Sequence, residues 1–216
     1  CQSAEEAIDK INEKSPDIIL SDVAMPGKDG FELCREIKSN IQICHIPVIL
    51  VTAKGTIDSQ VEGLDMGADA YVTKPFDPSY LLALIRSQLE NRRKIQGILN
   101  SAIEVGQFEN AGELSSKDRA FMRQLYEIMN NELANEDLDI TMLTDMMKIS
   151  RTKFYYKIKS LTGKTPSEFF MQYKLNVAAQ YLKEGRLNVS EIAIKTGFNT
   201  LQHFSKAFKN QFGVSP

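Results

Sequence analysis

The sequence predicts two domains of different class: a partial doubly wound α/β domain, then an all-α domain built from two helix-turn-helix units. Three observations predict it. Short β-branched runs alternate with amphipathic stretches in the first half, the second half is helical throughout, and residue types recur fifty positions apart within it. A chain of 216 residues accommodates about two domains of the usual ~100–200 residues. With 43% hydrophobic and 25% charged residues, it reads as globular rather than disordered.

Residues 17–22 (DIILSD), 47–52 (PVILVT) and 69–73 (DAYVT) are short apolar runs bounded by Pro, Gly or Asp, the pattern of buried strands. Between them, Phe31, Leu33 and Ile37, then Ile57, Val61 and Leu64, recur at helical spacing, and residues 79–96 form a third amphipathic stretch. Strands alternating with helices imply parallel β-α units with right-handed crossovers. In such sheets, functional groups gather beyond the C-terminal strand ends, where the loops meet at a crevice. Asp22 ends the first strand, Thr52 the second, and Lys74 follows the third just before Pro75. A carboxylate nucleophile, a hydroxyl donor and an ammonium converging there can accept and hold a phosphoryl group.

The segments D-V-A-M-P-G-K-D-G at 22–30, V-T-A-K at 51–54 and K-P-F at 74–76 resemble those of two-component response-regulator receivers, whose fold is flavodoxin-like. The resemblance implies that Asp22 is the phosphoacceptor, that Lys74 pairs with the phosphoryl oxygens, and that Thr52 hydrogen-bonds them in the active state. Tyr71 matches the switch aromatic of that family. Residues 4–14 match the family's second helix, so the first strands are missing, and with them the acidic pair that holds Mg²⁺. Magnesium is expected in a complete receiver; here its ligands reduce to Asp22, the backbone carbonyl near Ala24 and water, a thin set for a hard cation. The missing neighbour also leaves the strand at 17–22 as an exposed apolar edge.

Cys1, Cys34 and Cys44 lack paired spacing, so neither a disulfide framework nor a zinc site is suggested, and a reducing cytosol fits. Cys44-His45 reads as two ordinary residues entering a strand. The sequence holds no apolar run near the ~18 residues of a membrane span. Charge is split along the chain: residues 1–90 carry 8 basic against 15 acidic side chains, a net of −7, whereas residues 146–216 carry 12 against 3, a net of +9. Only the C-terminal end suits a polyanion.

Residues 97–118 lose periodicity and collect Gly, Asn and Ser, which places a linker between domains at 1–96 and 119–216. Arg92-Arg93-Lys94 before it reads as a solvated helix face. Beyond it, Phe154 and Phe204, Ile158 and Phe208, Lys159 and Lys209, Gly163 and Gly213, and Pro166 and Pro216 are each fifty apart, the sign of an internal duplication. In the first copy Phe154, Ile158 and Leu161 turn inward and Arg151, Thr152, Tyr155, Tyr156 and Lys159 outward. In the second Leu201, Phe204 and Phe208 turn inward and Thr200, Gln202, His203, Lys206 and Asn210 outward. Such polar faces suit phosphates and base edges in a major groove. Pro166 and Gly185 bracket a connecting helix of about 28 Å at 1.5 Å per residue, comparable to the ~34 Å between successive major-groove faces.

The stretches S-R-T-K-F-Y-Y-K-I-K-S-L-T-G-K-T-P at 150–166 and I-A-I-K-T-G-F-N-T-L-Q-H-F-S-K-A-F-K-N-Q-F-G-V-S-P at 192–216 resemble the AraC-type DNA-binding domain. Lys148 stands where that family often has Gly, and Tyr156 where Arg is common. The two resemblances together imply a phosphorylation-regulated, sequence-specific transcription regulator, not itself an enzyme. It would be the cytoplasmic C-terminal part of a hybrid histidine kinase whose parent chain is anchored in the inner membrane; the alternative is a free-standing response regulator with the same two domains. The partners implied are double-stranded DNA, a histidine kinase domain on the same or another chain, a second copy, and RNA polymerase.

Overall fold

The computed structural model describes residues 1–53, 63, 65–104 and 114–216, and divides into two compact units, Cys1–Ile98 with Glu113–Asp118, and Leu99–Gly112 with Arg119–Pro216. In the first unit the order is α1 (Ala4–Glu13), β1 (Ile19–Asp22), α2 (Gly30–Ser39), β2 (Val48–Thr52), β3 (Ala70–Thr73) and α3 (Pro78–Glu104), whose last turns fall in the second unit. The three strands form one parallel sheet in the order β1-β2-β3. The helical reading at Ile57, Val61 and Leu64 lies outside the described residues.

Each element follows from local chemistry. Ser3 caps α1 by accepting from the Glu6 amide, and α2 opens on a capping box in which Asp29 and Glu32 satisfy each other's backbone donors. Strand β2 is buried along its whole length, as a central parallel strand must be, and consists of Val, Ile, Leu and Thr. One face of the sheet packs Leu50 and Val48 against Phe31, Leu33 and Ile37 of α2; the other packs Ile49, Val51, Ala70 and Val72 against Leu81, Leu84 and Ile85 of α3. Strand β1 is an edge, and Leu20 on it is 49% exposed.

Two readings are corrected here. Arg92 is not solvated: its guanidinium donates to the Asp17 carbonyl at 2.8 Å and lies 3.5 Å from the Asp17 carboxylate, tying α3 to the approach of β1. Residues 97–104, assigned to the linker, continue α3 as helix. A single Gly97 inside a helix costs only ~1 kcal/mol. Leu99 is fully buried and Asn100 Nδ2 donates to the Thr162 carbonyl at 2.8 Å, so this turn has packing to hold it.

The second unit holds α4 (Ser116–Asn131, entering it at Arg119), α5 (Ile140–Met146), α6 (Arg151–Thr162), α7 (Pro166–Glu184), α8 (Val189–Lys195) and α9 (Leu201–Phe212). The duplication is visible in the backbone. Helices α5 and α8 each have seven residues, α6 and α9 each twelve, and Gly163 and Gly213 end the latter pair at φ 75° and 77°. The connecting helix α7 runs 19 residues, with Pro166 at its first position, a Thr165–Glu168 capping box and Gly185 at its C-cap. Phe204, Phe208, Phe198 and Ile192 fill the core of the second copy with Leu175 and Ala178 of α7. In the first copy Phe154 packs on Phe121, ring centroids 6.3 Å apart.

Candidate functional site

The residues singled out by sequence fall at the strand ends of the first unit and on two separate helices, α6 and α9, of the second. In the first, the parallel register sets Asp22 opposite Val51 and Thr52 opposite Thr73. The strand ends are drawn together by Val23 donating to the Val51 carbonyl at 2.8 Å and Lys74 to the Thr52 carbonyl at 2.6 Å. Lys74 Nζ therefore reaches Asp22 Oδ2 at 2.5 Å, while Asp22 Oδ1 accepts from the Ala24 amide at 3.1 Å. The Lys74 hydrogen bond, helped by that amide, holds the Asp22 carboxyl below the usual aspartate range. The group stands ready as an anionic nucleophile at neutral pH, with a cation beside it to receive further negative charge.

Thr52 is buried at the end of β2, and Tyr71 is half-buried on β3, its ring packed toward Leu50 and Phe31. Ala24 supplies an amide to Asp22. Toward magnesium, the described residues offer one carboxylate whose two oxygens are both engaged; no group of three or more His, Cys, Asp or Glu is placed among them to hold an ion. They do not by themselves make a magnesium site. The buried Cys44 thiol donates to the Asp118 carboxylate, Sγ to Oδ1 3.5 Å.

Sequence reasoning missed Gly30. A Cβ there would fall 2.3 Å from the Asp22 carbonyl oxygen and 2.8 Å from Val23 Cα, so α2 begins in direct backbone contact with the residues that carry the carboxylate. Its amide donates to the Val23 carbonyl at 3.0 Å. The signal was present, a Gly directly after the helix-capping Asp29, where any other residue would serve the helix better.

In the second unit, Arg151, Thr152, Tyr155 and Lys159 on α6 and Gln202, His203 and Lys206 on α9 are exposed, with Tyr156 half-buried. Three details refine the sequence reading. Thr200 is the N-cap of α9, its hydroxyl accepting from the His203 amide at 3.1 Å. Arg151 is held by the Thr141 hydroxyl, itself bonded to the capping Asp139. Leu201, expected inward, is 45% exposed, because it occupies the first turn of α9, ahead of the Phe204–Phe208 stripe that faces the core.

Not every cation of the basic end faces out. Lys157 is fully buried with Nζ 5.2 Å from the Phe121 ring centroid. Lys174 is buried too, donating to the Gly197 carbonyl at 2.9 Å, and burial pushes its ammonium pKa down. Lys209 is exposed at the position of α9 that matches Lys159 of α6.

Comparison with known proteins bears on the two domains. Residues 1–86 match the response regulator receiver domain, and residues 143–216 match a helix-turn-helix domain of the AraC type. The chain joins a response-regulator receiver to an AraC-type helix-turn-helix domain. A histidine kinase P4 from Formosa agariphila is 36% identical over 201 residues; the match covers 93% of this chain and only 14% of that protein's length. Among solved structures, a response regulator from Chloroflexus aurantiacus is 33% identical at a TM-score of 0.41, covering 42% of this chain and 74% of its own. The receiver domain of a histidine kinase from Syntrophus aciditrophicus is 35% identical at 0.40, covering 42% of this chain and 69% of its own. No described helix is long and apolar enough to cross a membrane.

Proposed function

We propose that the chain is the output end of a phosphorelay: a receiver whose phosphorylation regulates a two-headed, sequence-specific DNA reader. The observation that carries it is the pair of twelve-residue helices, Arg151–Thr162 and Leu201–Phe212, each behind a seven-residue helix and each presenting cations outward, on a chain whose residues 1–86 match a receiver.

In the receiver the proposed roles are these. An Asp22 carboxylate oxygen attacks the phosphorus of a phosphohistidine; the P–N bond breaks, an acyl phosphate forms, and the imidazole leaves with a proton. Lys74 then exchanges part of its contact with Asp22 for the phosphoryl oxygens. Thr52 donates its hydroxyl to them, and Tyr71 on the neighbouring strand is the switch aromatic.

In the AraC-type domain, Arg151, Thr152, Tyr155, Tyr156 and Lys159 would face one half-site and Thr200, Gln202, His203 and Lys206 the other. The 19 residues of α7 span about 28 Å at 1.5 Å per residue, close to the ~34 Å between successive major-groove faces. The likeness to a much longer histidine kinase favours a parent chain that carries its own kinase. The test is selection from a random-sequence duplex pool by the 216-residue chain at two salt concentrations. A bipartite site is expected, with affinity falling steeply with salt; weak binding with no sequence enriched would refute the reading.

A further inference from the structure

The two reading helices share a backbone but not a face. Fifty residues apart, Tyr155 and Tyr156 of α6 correspond to Ser205 and Lys206 of α9. Tyr155 is 36% exposed, and its ring meets that of Tyr156 edge-on with centroids 5.5 Å apart. Lys159 Nζ lies 5.6 Å from the Tyr155 ring centroid. An open cleft of about 550 Å³ lies along this pair, bordered by Ile140, Arg151, Thr152, Tyr155, Tyr156 and Pro166.

Helix stability gives no reason for two adjacent aromatics on this outer face. Aromatic side chains lose χ1 freedom in a helix and rank below Lys, Arg and Glu as helix formers. In the second copy these positions carry Ser205 and Lys206 instead, so the helix-turn-helix scaffold itself does not call for aromatics there. In a major groove, the apolar feature that distinguishes one base from the others is the C5-methyl group of thymine, and side chains that read it are apolar. The face beside the cleft supplies ring surface for that methyl, with Lys159 at hand for the phosphate.

We propose that the Tyr155–Tyr156 cleft is a thymine reader, so that the first helix-turn-helix unit selects thymine through its C5-methyl group while the second, with Ser205 and Lys206 in its place, does not. This rests on the DNA-reading function proposed above and adds which unit reads which chemical feature.

The experiment uses the 216-residue chain and the duplex site it selects from a random pool. Every thymine in one half-site, and then in the other, is replaced by deoxyuridine, which removes the methyl group and nothing else. One half-site should lose affinity about three- to tenfold on replacement, the scale expected for one buried methyl group. The double variant Tyr155→Ser, Tyr156→Lys, which copies the face of α9, should bind both versions of that half-site equally. The variant Tyr155→Phe, Tyr156→Phe should keep the difference, since ring surface and not the hydroxyl is invoked. Equal affinity for thymine and deoxyuridine sites by the parent chain overturns the inference and leaves DNA reading intact, as does a deoxyuridine effect that persists unchanged in the Ser/Lys variant. Failure to select any site overturns the DNA-reading function itself.

Discussion

Exchanging residues at one turn position should move stability in opposite directions in the two copies. Lys148 and Gly197 hold the same place: each follows a seven-residue helix, each has positive φ, 53° and 66°, and the next residue donates back across the turn, Ile149 to the Thr144 carbonyl and Phe198 to that of Ala193. A non-glycine residue in the left-handed region costs roughly 1–2 kcal/mol. Lys148→Gly removes that strain but adds about 0.5–1 kcal/mol of unfolded-state entropy, so the variant should gain up to about 1.5 kcal/mol. At Gly197 a Cβ would stand 2.5 Å from the Leu133 carbonyl oxygen and 3.0 Å from Lys174 Nζ. Gly197→Ala therefore combines strain with an overlap of the kind that costs about 1–3 kcal/mol, offset by the same ~0.5–1 kcal/mol of unfolded-state entropy, a net loss of about 1–4.5 kcal/mol. With no Trp in the chain, urea unfolding followed by far-ultraviolet circular dichroism is the assay, each midpoint converted with the measured slope. A destabilised Lys148→Gly or an unaffected Gly197→Ala would refute the equivalence of the two turns.

Other expectations follow from the two sites. Lys74→Ala should raise the Asp22 carboxyl pKa toward the ordinary aspartate range, read by carbon NMR titration of the side-chain carboxyl; because the folded pKa is depressed, the pair's contribution is present above that range and is lost as pH falls through the lowered value. Gly30→Ala should destabilise the receiver by about 2 kcal/mol or more, since its Cβ meets backbone that cannot move aside cheaply, and thermal unfolding of the chain would show it. Lys206→Ala, exposed on α9, should weaken DNA binding on all sequences alike and lower the salt slope by about 1; a loss confined to one base pair would mean that it reads a base instead.

The strand-end cluster was legible because Asp22, Thr52 and Lys74 each close or follow a β-branched run, and parallel pairing then has only one edge on which to place them. The duplication was legible for a similar reason, since Phe154 and Phe204, or Gly163 and Gly213, meet the same backbone requirement twice. What escaped depended on three-dimensional neighbours. Arg92 looked solvated until the approach of β1 brought the Asp17 carbonyl within 2.8 Å. Lys157 and Lys174 counted toward a basic face, although aromatic rings cover both ammonium groups. Leu201 seemed to continue an inward stripe, but a first-turn residue of a recognition helix lies ahead of the core it would have to reach.

The most direct test of the account is the spacing of the selected DNA site. With α7 as a 19-residue rigid spacer, insertion of about half a helical turn, ~5 bp, between the half-sites places them on opposite faces of the duplex. Affinity should then fall by about tenfold or more. Affinity indifferent to the insertion would mean that only one helix reads DNA, contradicting the two-headed reader.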